Sequence, residues 1–226
     1  MRLALLFSGG KDSTYAAYIM TQMGHRIVAL VSVVPSDAHS WVFHVPNLRF
    51  LPQMAEAMGL PLHTECSTGE EESDLEALRK VLSGLEVDGV VTGAIASDYQ
   101  WDRMNQVCED LGIRTFSPLW RKEQDMLLED MILSGVRFVP VRVSCEGLDG
   151  SWLGREIDIP ALNDLRELSE RYGINISGEG GEYETLVLDS PLHRARLDLR
   201  DVRKEMSRDE GNLIIGRVKL EVKDAQ

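Results

Sequence analysis

A doubly wound α/β fold, built on a parallel five-stranded sheet and followed by a smaller α+β domain, is what this sequence predicts. Three observations predict it. Short branched-apolar runs alternate with amphipathic stretches through the first two-thirds of the 226 residues. The helical stretches close on glycines. The alternation breaks near residue 136, where a loop, one helix and a hairpin pattern take over.

The elements follow in order. Leu3–Phe7, Ile27–Val34, Leu62–Cys66, Gly89–Thr92 and Arg114–Phe116 read as strands, each short, rich in branched or aromatic residues and bounded by turn formers. A helix over Ser13–Met23 ends at Gly24, which suits a left-handed cap. The helix over Leu51–Met58 ends at Gly59 and tolerates Pro52 only in its first turn. Ser73-Asp74-Leu75-Glu76 has the form of a capping box and predicts a helix starting after Ser73. The acidic run Glu70-Glu71-Glu72 before it reads as a solvated loop at a helix start. Tyr99–Leu111 closes on Gly112 and Lys122–Ser134 on Gly135. These elements give a first domain over 1–135 and a second over 136–226. In the second, Phe138–Val143 reads as a strand and Glu146–Gly154, with three glycines, as a loop. A helix then has Pro160 near its start and Gly173 after its end. Arg194–Val202 and Leu213–Val222 form a hairpin around Asp209-Glu210-Gly211.

Composition removes several function classes. With 37 Asp and Glu against 24 Lys and Arg the formal charge is −13, which repels polyanions and argues against direct nucleic-acid binding. Cys66, Cys108 and Cys145 form no C-x-x-C pair, so neither a zinc knuckle nor a redox dithiol is readable. The first apolar run is too short for a signal peptide and no stretch is long enough for a membrane span, so the expectation is a soluble cytoplasmic protein that makes no membrane contact. Oligomeric state is not readable.

Ligands of doubly wound sheets sit at the carboxyl ends of the strands, so function is sought in the loops that follow them. Directly after the first strand comes Ser8-Gly9-Gly10-Lys11-Asp12-Ser13, which runs into a helix. Two glycines allow a sharp turn and bare N–H groups. With the helix N-terminus and the Ser8 and Ser13 hydroxyls they make a phosphate cradle, and Lys11 can neutralise phosphate charge. Asp12 is either a Mg²⁺ ligand or a helix cap. Lys11 and Asp12 are both expected on a surface loop. Neither a Walker A loop nor G-x-G-x-x-G fits, because Asp12 follows Lys11 and the glycines are adjacent. The Gly93–Gln100 loop after the fourth strand has small residues that allow close approach to a ribose or adenine, and Arg103 is placed to reach a phosphate; otherwise the loop is a tight strand-to-helix connection with Arg103 solvated. In Gly178–Val187 a glycine-rich bend brings the carboxylates of Glu179, Glu182 and Glu184 into a short stretch before a strand. They suit a cation site, a general base or an acidic solvent loop. His44 is a substrate-facing candidate or a packing residue beside Trp41 and Phe43; Trp120 and Trp152 line a pocket or fill the core.

The hexapeptide after a chain-initial strand resembles the PP-loop of the ATP pyrophosphatases. Together with the Glu179–Leu192 segment, Phe43–Asn47, Gly93–Gln100 with Arg103, and Ser117–Trp120, it is similar to the diphthine–ammonia ligase family, also called diphthamide synthetases, through nearly the whole chain. The resemblance implies a PP-loop, Rossmann-like sheet and an ATP-dependent amide-forming ligase that uses Mg²⁺. ATP would adenylate the carboxylate of diphthine on translation elongation factor 2, and ammonium would supply the nitrogen, releasing AMP and pyrophosphate. It implies Ser8, Gly9, Gly10, Lys11, Asp12, Ser13, Gly93, Ala94 and Ile95 on the nucleotide, with Asp12 as metal ligand. His44, Tyr99, Gln100, Arg103, Glu179, Gly180, Gly181 and Glu182 are the candidates for the substrate and Lys11 and Asp12 for catalysis; chemical reasoning, beyond the resemblance, adds Glu179, Glu182 and Glu184 as carboxylates to collect ammonium and accept its proton, with Glu182 and Glu184 in catalysis. Larger family members carry further domains after this core, and the core alone is expected here. The competing readings are a PP-loop tRNA-modifying enzyme, disfavoured by the charge and the cysteines; a glutamine-dependent amidotransferase, disfavoured because no cysteine starts the chain; and a non-catalytic ATP-binding module.

Overall fold

Short runs of branched apolar residues form the buried strands of the first sheet, and stretches where apolar residues recur every third or fourth position form helices. The computed structural model describes residues 1–35, 48–208 and 210–223, and only the backbone of Gln100. By its contacts the chain divides into two compact units, Met1–Ser8 with Asp12–Arg121, and Gly9–Lys11 with Lys122–Gln226.

The first unit runs β1 (Arg2–Leu6), α1 (Lys11–Gln22), β2 (Arg26–Pro35), α2 (Leu51–Met58), β3 (Leu62–Ser67), α3 (Glu71–Ser83), β4 (Gly89–Val91), α4 (Asp98–Leu111) and β5 (Arg114–Phe116). The strands pair in parallel in the order β3-β2-β1-β4-β5, the expected five-stranded sheet. Right-handed crossovers require that α1 and α2 cover one face and α3 and α4 the other, because the direction of travel reverses between β3 and β4. The core agrees: Ala4, Val31, Val33 and Val90 pack with Ala77, Leu78 and Leu82 of α3 and with Met104 and Val107 of α4. Leu3, Leu5 and Leu30 alternate to the opposite face and are fully buried, each worth about 1.5–3 kcal/mol of transfer free energy. The strand order reverses between β1 and β4, which makes their carboxyl ends the switch point of the sheet.

Helix starts differ from the sequence expectation: α4 begins at Asp98, one residue before Tyr99, and the helix expected from Lys122 begins at Gln124. Helix α3 begins at Glu71, with Glu70 as its N-cap residue, so the Ser73 box does not cap it. The Ser73 hydroxyl instead accepts from the Thr68 N–H at 3.0 Å. Glu71, Glu72 and Asp74 thereby occupy the positive first turn, where carboxylates are favoured. Helix α1 begins at Lys11, two residues before Ser13, so the end of the hexapeptide is itself the first helical turn. Helix α2 matches its expected bounds, with Pro52 in the first turn and Gly59 at φ 65° donating to the Ala55 and Glu56 carbonyls.

The second unit holds α5 (Gln124–Leu133), β6 (Arg137–Val143), α6 (Ile159–Tyr172), β7 (Tyr183–Asp189), β8 (Ala195–Met206) and β9 (Gly211–Val222). Its sheet is antiparallel in the order β7-β6-β9-β8, and the hairpin arms run longer than their sequence pattern. Glu123 caps α5 by accepting from the Met126 N–H at 2.8 Å. Asp158 caps α6 through the Ala161 N–H at 2.9 Å. The change of unit lies at Arg121/Lys122, upstream of residue 136, because α5 is tied to α6: Arg166 reaches Asp125 at 2.8 Å and Glu129 at 2.6 Å. Among the described residues no helix is long and apolar enough to cross a membrane.

Candidate active site

Strand β1 delivers the hexapeptide to the switch point. The Ser8 and Ser13 hydroxyls lie 3.2 Å apart, and Ser13 is buried in the first turn of α1. Just after β4, Gly93 lies against that same turn. A Cβ at position 93 would stand 2.6 Å from Ser13 N and 2.7 Å from the Asp12 carbonyl carbon. The smallness of Gly93, expected for an approaching nucleotide, also admits the backbone of Asp12 and Ser13. Next to it, the Ala94 N–H donates to Thr92 Oγ1 at 3.0 Å. Ile95 is fully buried and its carbonyl accepts from the Arg121 N–H at 2.7 Å, so its side chain belongs to the core.

Residues Gly9–Lys11 count with the second unit because β7 holds them. The chain turns at Gly9, φ 76°, a conformation that favours glycine. The Gly9 carbonyl accepts from the Val187 N–H at 3.0 Å. The Lys11 N–H donates to Thr185 Oγ1 at 3.2 Å, and the Lys11 ammonium lies 5.6 Å from the centroid of the Tyr183 ring. Lys11 is only 3% exposed, which corrects the expectation that it sits on a surface loop. Tyr183 and Thr185 were not singled out by the sequence analysis, although alternation along β7 marks them as one face. The glutamates at 179, 182 and 184 are the more conspicuous chemistry in that stretch.

The acidic stretch is engaged in three different ways. Glu179 is exposed. Glu182 fastens its own bend: Oε1 accepts from the Asn175 N–H at 2.9 Å and Oε2 from the Gly180 N–H at 2.8 Å, while the Gly181 carbonyl accepts from the Ser144 hydroxyl at 2.6 Å. Glu184 alternates to the face opposite Tyr183 and Thr185. There Oε1 accepts from Arg142 at 3.1 Å, and Arg142 also reaches Glu210 at 3.1 Å. Burial pushes the Glu184 carboxyl above the ordinary range, against the lowering effect of Arg142. Its Oε2 is buried with no hydrogen-bond partner among the described residues. No group of three or more His, Cys, Asp and Glu among the described residues is arranged to hold a metal ion.

The remaining candidates are placed as follows. Arg103 is partly exposed, with its Nε paired with Glu71 at 2.5 Å and its guanidinium stacked over the Tyr99 ring at 5.2 Å. The hydrogen bond from Tyr99, then Arg103, holds Glu71 below the usual carboxylate range. Beside them a cavity of about 590 Å³ is lined by Gly69, Glu70, Glu71 and Tyr99. His44 and the Gln100 side chain lie outside the described residues. Trp152 is a core residue, 5% exposed, whereas Trp120 is half-buried and stacks on Trp101 at 5.5 Å. All three cysteines are free, and burial pushes the Cys108 and Cys145 thiols up, away from nucleophilic thiolates.

Comparison with known proteins places this geometry. Residues 1–115 match the diphthamide synthase N-terminal domain and residues 123–221 the diphthamide synthase C-terminal domain. The diphthine–ammonia ligase of Danio rerio is 38% identical, covering 87% of this chain and 86% of that protein. That of Bos taurus is 36% identical over 87% of this chain and 82% of its own length. The much longer Schizosaccharomyces pombe enzyme is 33% identical and matches 99% of this chain, which spans 40% of it. A solved structure of a predicted subunit of tRNA methyltransferase from Methanocaldococcus jannaschii has a TM-score of 0.49 at 14% identity, covering 84% of this chain and 98% of its own, a likeness that decides nothing about function. With both domain types matched in order and relatives similar over most of their length, the chain belongs to the diphthamide synthase family.

Proposed function

We infer that this protein is an ATP-dependent diphthine–ammonia ligase. The observation that carries the reading is the family match over both units, joined to a glycine-rich turn at the switch point of a parallel sheet. The chemistry needs ATP because a carboxylate does not yield to ammonia until one oxygen becomes a good leaving group. A diphthine carboxylate oxygen attacks the α-phosphorus and pyrophosphate departs. Ammonia then attacks the activated carbonyl, AMP departs, and the amide remains after loss of a proton. The residues Ser8–Ser13, at the N-terminus of α1 with Lys11 in its first turn, suit the pyrophosphate and its developing charge. Gly93 supports them by letting the β4 loop pack against that turn.

The finer assignments are ours. The Ser8–Ser13 loop handles the nucleotide, and the domain over 136–226 the substrate. Asp12 would hold a Mg²⁺ brought in with the phosphates, and that ion would offset their negative charge. The protein substrate is translation elongation factor 2, and the work is done in the cytoplasm. Of the three acidic residues, Glu184 is the one suited to take a proton from ammonium, since a buried carboxylate with a raised pKa and an oxygen not hydrogen-bonded among the described residues is a competent base. Glu182 holds the bend. The test is a stoichiometric assay with ATP, Mg²⁺, ammonium and elongation factor 2 carrying diphthine. One AMP and one pyrophosphate are expected per amide formed. Tight ATP binding with no AMP under any of these conditions would overturn the reading in favour of a non-catalytic nucleotide-binding module.

A further inference from the structure

We propose that Thr185 and Tyr183 are positioning residues for the phosphate loop: strand β7 presets Gly9–Lys11 in the conformation that receives an anion. The inference rests on the reading that this loop binds phosphate. A turn with two adjacent glycines is the most mobile kind of chain, and ordering it costs about 1–2 kcal/mol per residue. A ligand that must order its own loop loses that much affinity, whereas a loop ordered beforehand does not impose the loss. The structure supplies the ordering from alternate positions of one strand. Strand β7 lies at the edge of its sheet, so its outer side is open to a further segment. Val187 donates its N–H to the Gly9 carbonyl at 3.0 Å, and Thr185 accepts the Lys11 N–H at 3.2 Å. Tyr183 completes the series by placing its ring 5.6 Å from the Lys11 ammonium.

Each contact has a distinct physical role. The Val187 bond is backbone to backbone and any residue there would make it. The Thr185 bond needs a hydroxyl, and Thr185 is 7% exposed, so water does not readily replace that acceptor. The Tyr183 ring, 4% exposed and held by its own hydroxyl on the Ile176 carbonyl at 2.7 Å, offers the ammonium a π-face. A ring steadies a cation without bringing a full negative charge to a place meant for phosphate.

The experiment compares wild type, Thr185→Val, Thr185→Ser, Tyr183→Phe and Tyr183→Leu. Pyrophosphate binding is measured by calorimetry, thermal unfolding in parallel, and KM for ATP against kcat in the ligase assay. Thr185→Val keeps the volume and loses the hydroxyl, and weakens pyrophosphate binding about five- to tenfold, the worth of one hydrogen bond. KM for ATP rises more than kcat falls. Thr185→Ser restores most of the affinity, and Tyr183→Leu costs more affinity than Tyr183→Phe. Failure of wild type to bind pyrophosphate would remove the phosphate-loop reading, and this proposal with it. Wild-type binding with Thr185→Val equally tight, or an affinity loss that Thr185→Ser does not recover, overturns the positioning role while leaving that reading intact.

Discussion

Substituting Gly93 with alanine tests the switch point most directly. The added Cβ would lie 2.6 Å from Ser13 N, 2.7 Å from the Asp12 carbonyl carbon and 3.0 Å from Ser13 Cα. Ordinary carbon contacts settle at about 3.5–4.0 Å, so close to an ångström must be opened. All three neighbours are backbone atoms in the first turn of α1, and none can swing away as a side chain would. Overpacking of this kind costs about 1–3 kcal/mol. At about 2–4 °C per kcal/mol for a chain of this size, the unfolding midpoint should fall by about 2–12 °C. Because the displaced atoms belong to the phosphate loop, pyrophosphate affinity should fall with it. Gly84→Ala is the control: its φ of −82° is open to any residue and the nearest atom, the Val81 carbonyl oxygen, lies 3.7 Å away. The assay is calorimetric unfolding followed by pyrophosphate titration of both variants. A Gly93→Ala protein as stable and as tight-binding as Gly84→Ala would refute the claim that the two loops are in backbone contact.

Two further expectations concern the second unit. The buried His193, its Nδ1 2.5 Å from Ser190 Oγ, has its pKa pushed down by burial from 6.5 to about 4. The unfolded chain therefore binds the extra proton first as pH falls, so the contribution of His193 is intact above about pH 6.5 and lost progressively towards pH 4. That gap corresponds to about 3 kcal/mol. His193→Gln should flatten the pH dependence of the urea midpoint between pH 4 and 7, and curves that stay parallel to wild type would contradict the assignment. Glu182→Gln replaces one of two acceptor oxygens with a donor that faces the N–H of Asn175 or Gly180. Leaving one of them unsatisfied should cost about 1–3 kcal/mol in thermal stability. Unchanged stability with altered ammonium dependence would instead make Glu182 a ligand for the cation.

Much of the architecture was legible in the chain itself. The short apolar runs Leu3–Phe7, Ile27–Val34 and Leu62–Cys66, bounded by turn formers and followed by helices that close on glycine, depend only on neighbours in sequence, and the sheet formed accordingly. The Ser8–Ser13 hexapeptide declared its turn because adjacent glycines before a helix have few other uses. The start of α3 was misplaced because Ser73 satisfies a capping pattern, yet its hydroxyl found the Thr68 N–H, while the carboxylates before it drew the helix upstream. Residue type also said little about partners. Lys11 reads as a surface cation and is buried under Tyr183, and three glutamates that read as one cluster are separated by the pleat of β7 and by the bend that Glu182 ties.

The division has a physical cause. Secondary structure, turn chemistry and the position of a phosphate loop follow from interactions a few residues long, which the order of amino acids states outright. That Gly93 lies against Ser13, and that Thr185 holds Lys11 across 174 positions of chain, is settled only when distant segments exclude water and find donors for their acceptors. Sequence alone determined which groups were present for the chemistry; the tertiary structure decided which of them stand beside the loop and which serve to hold it.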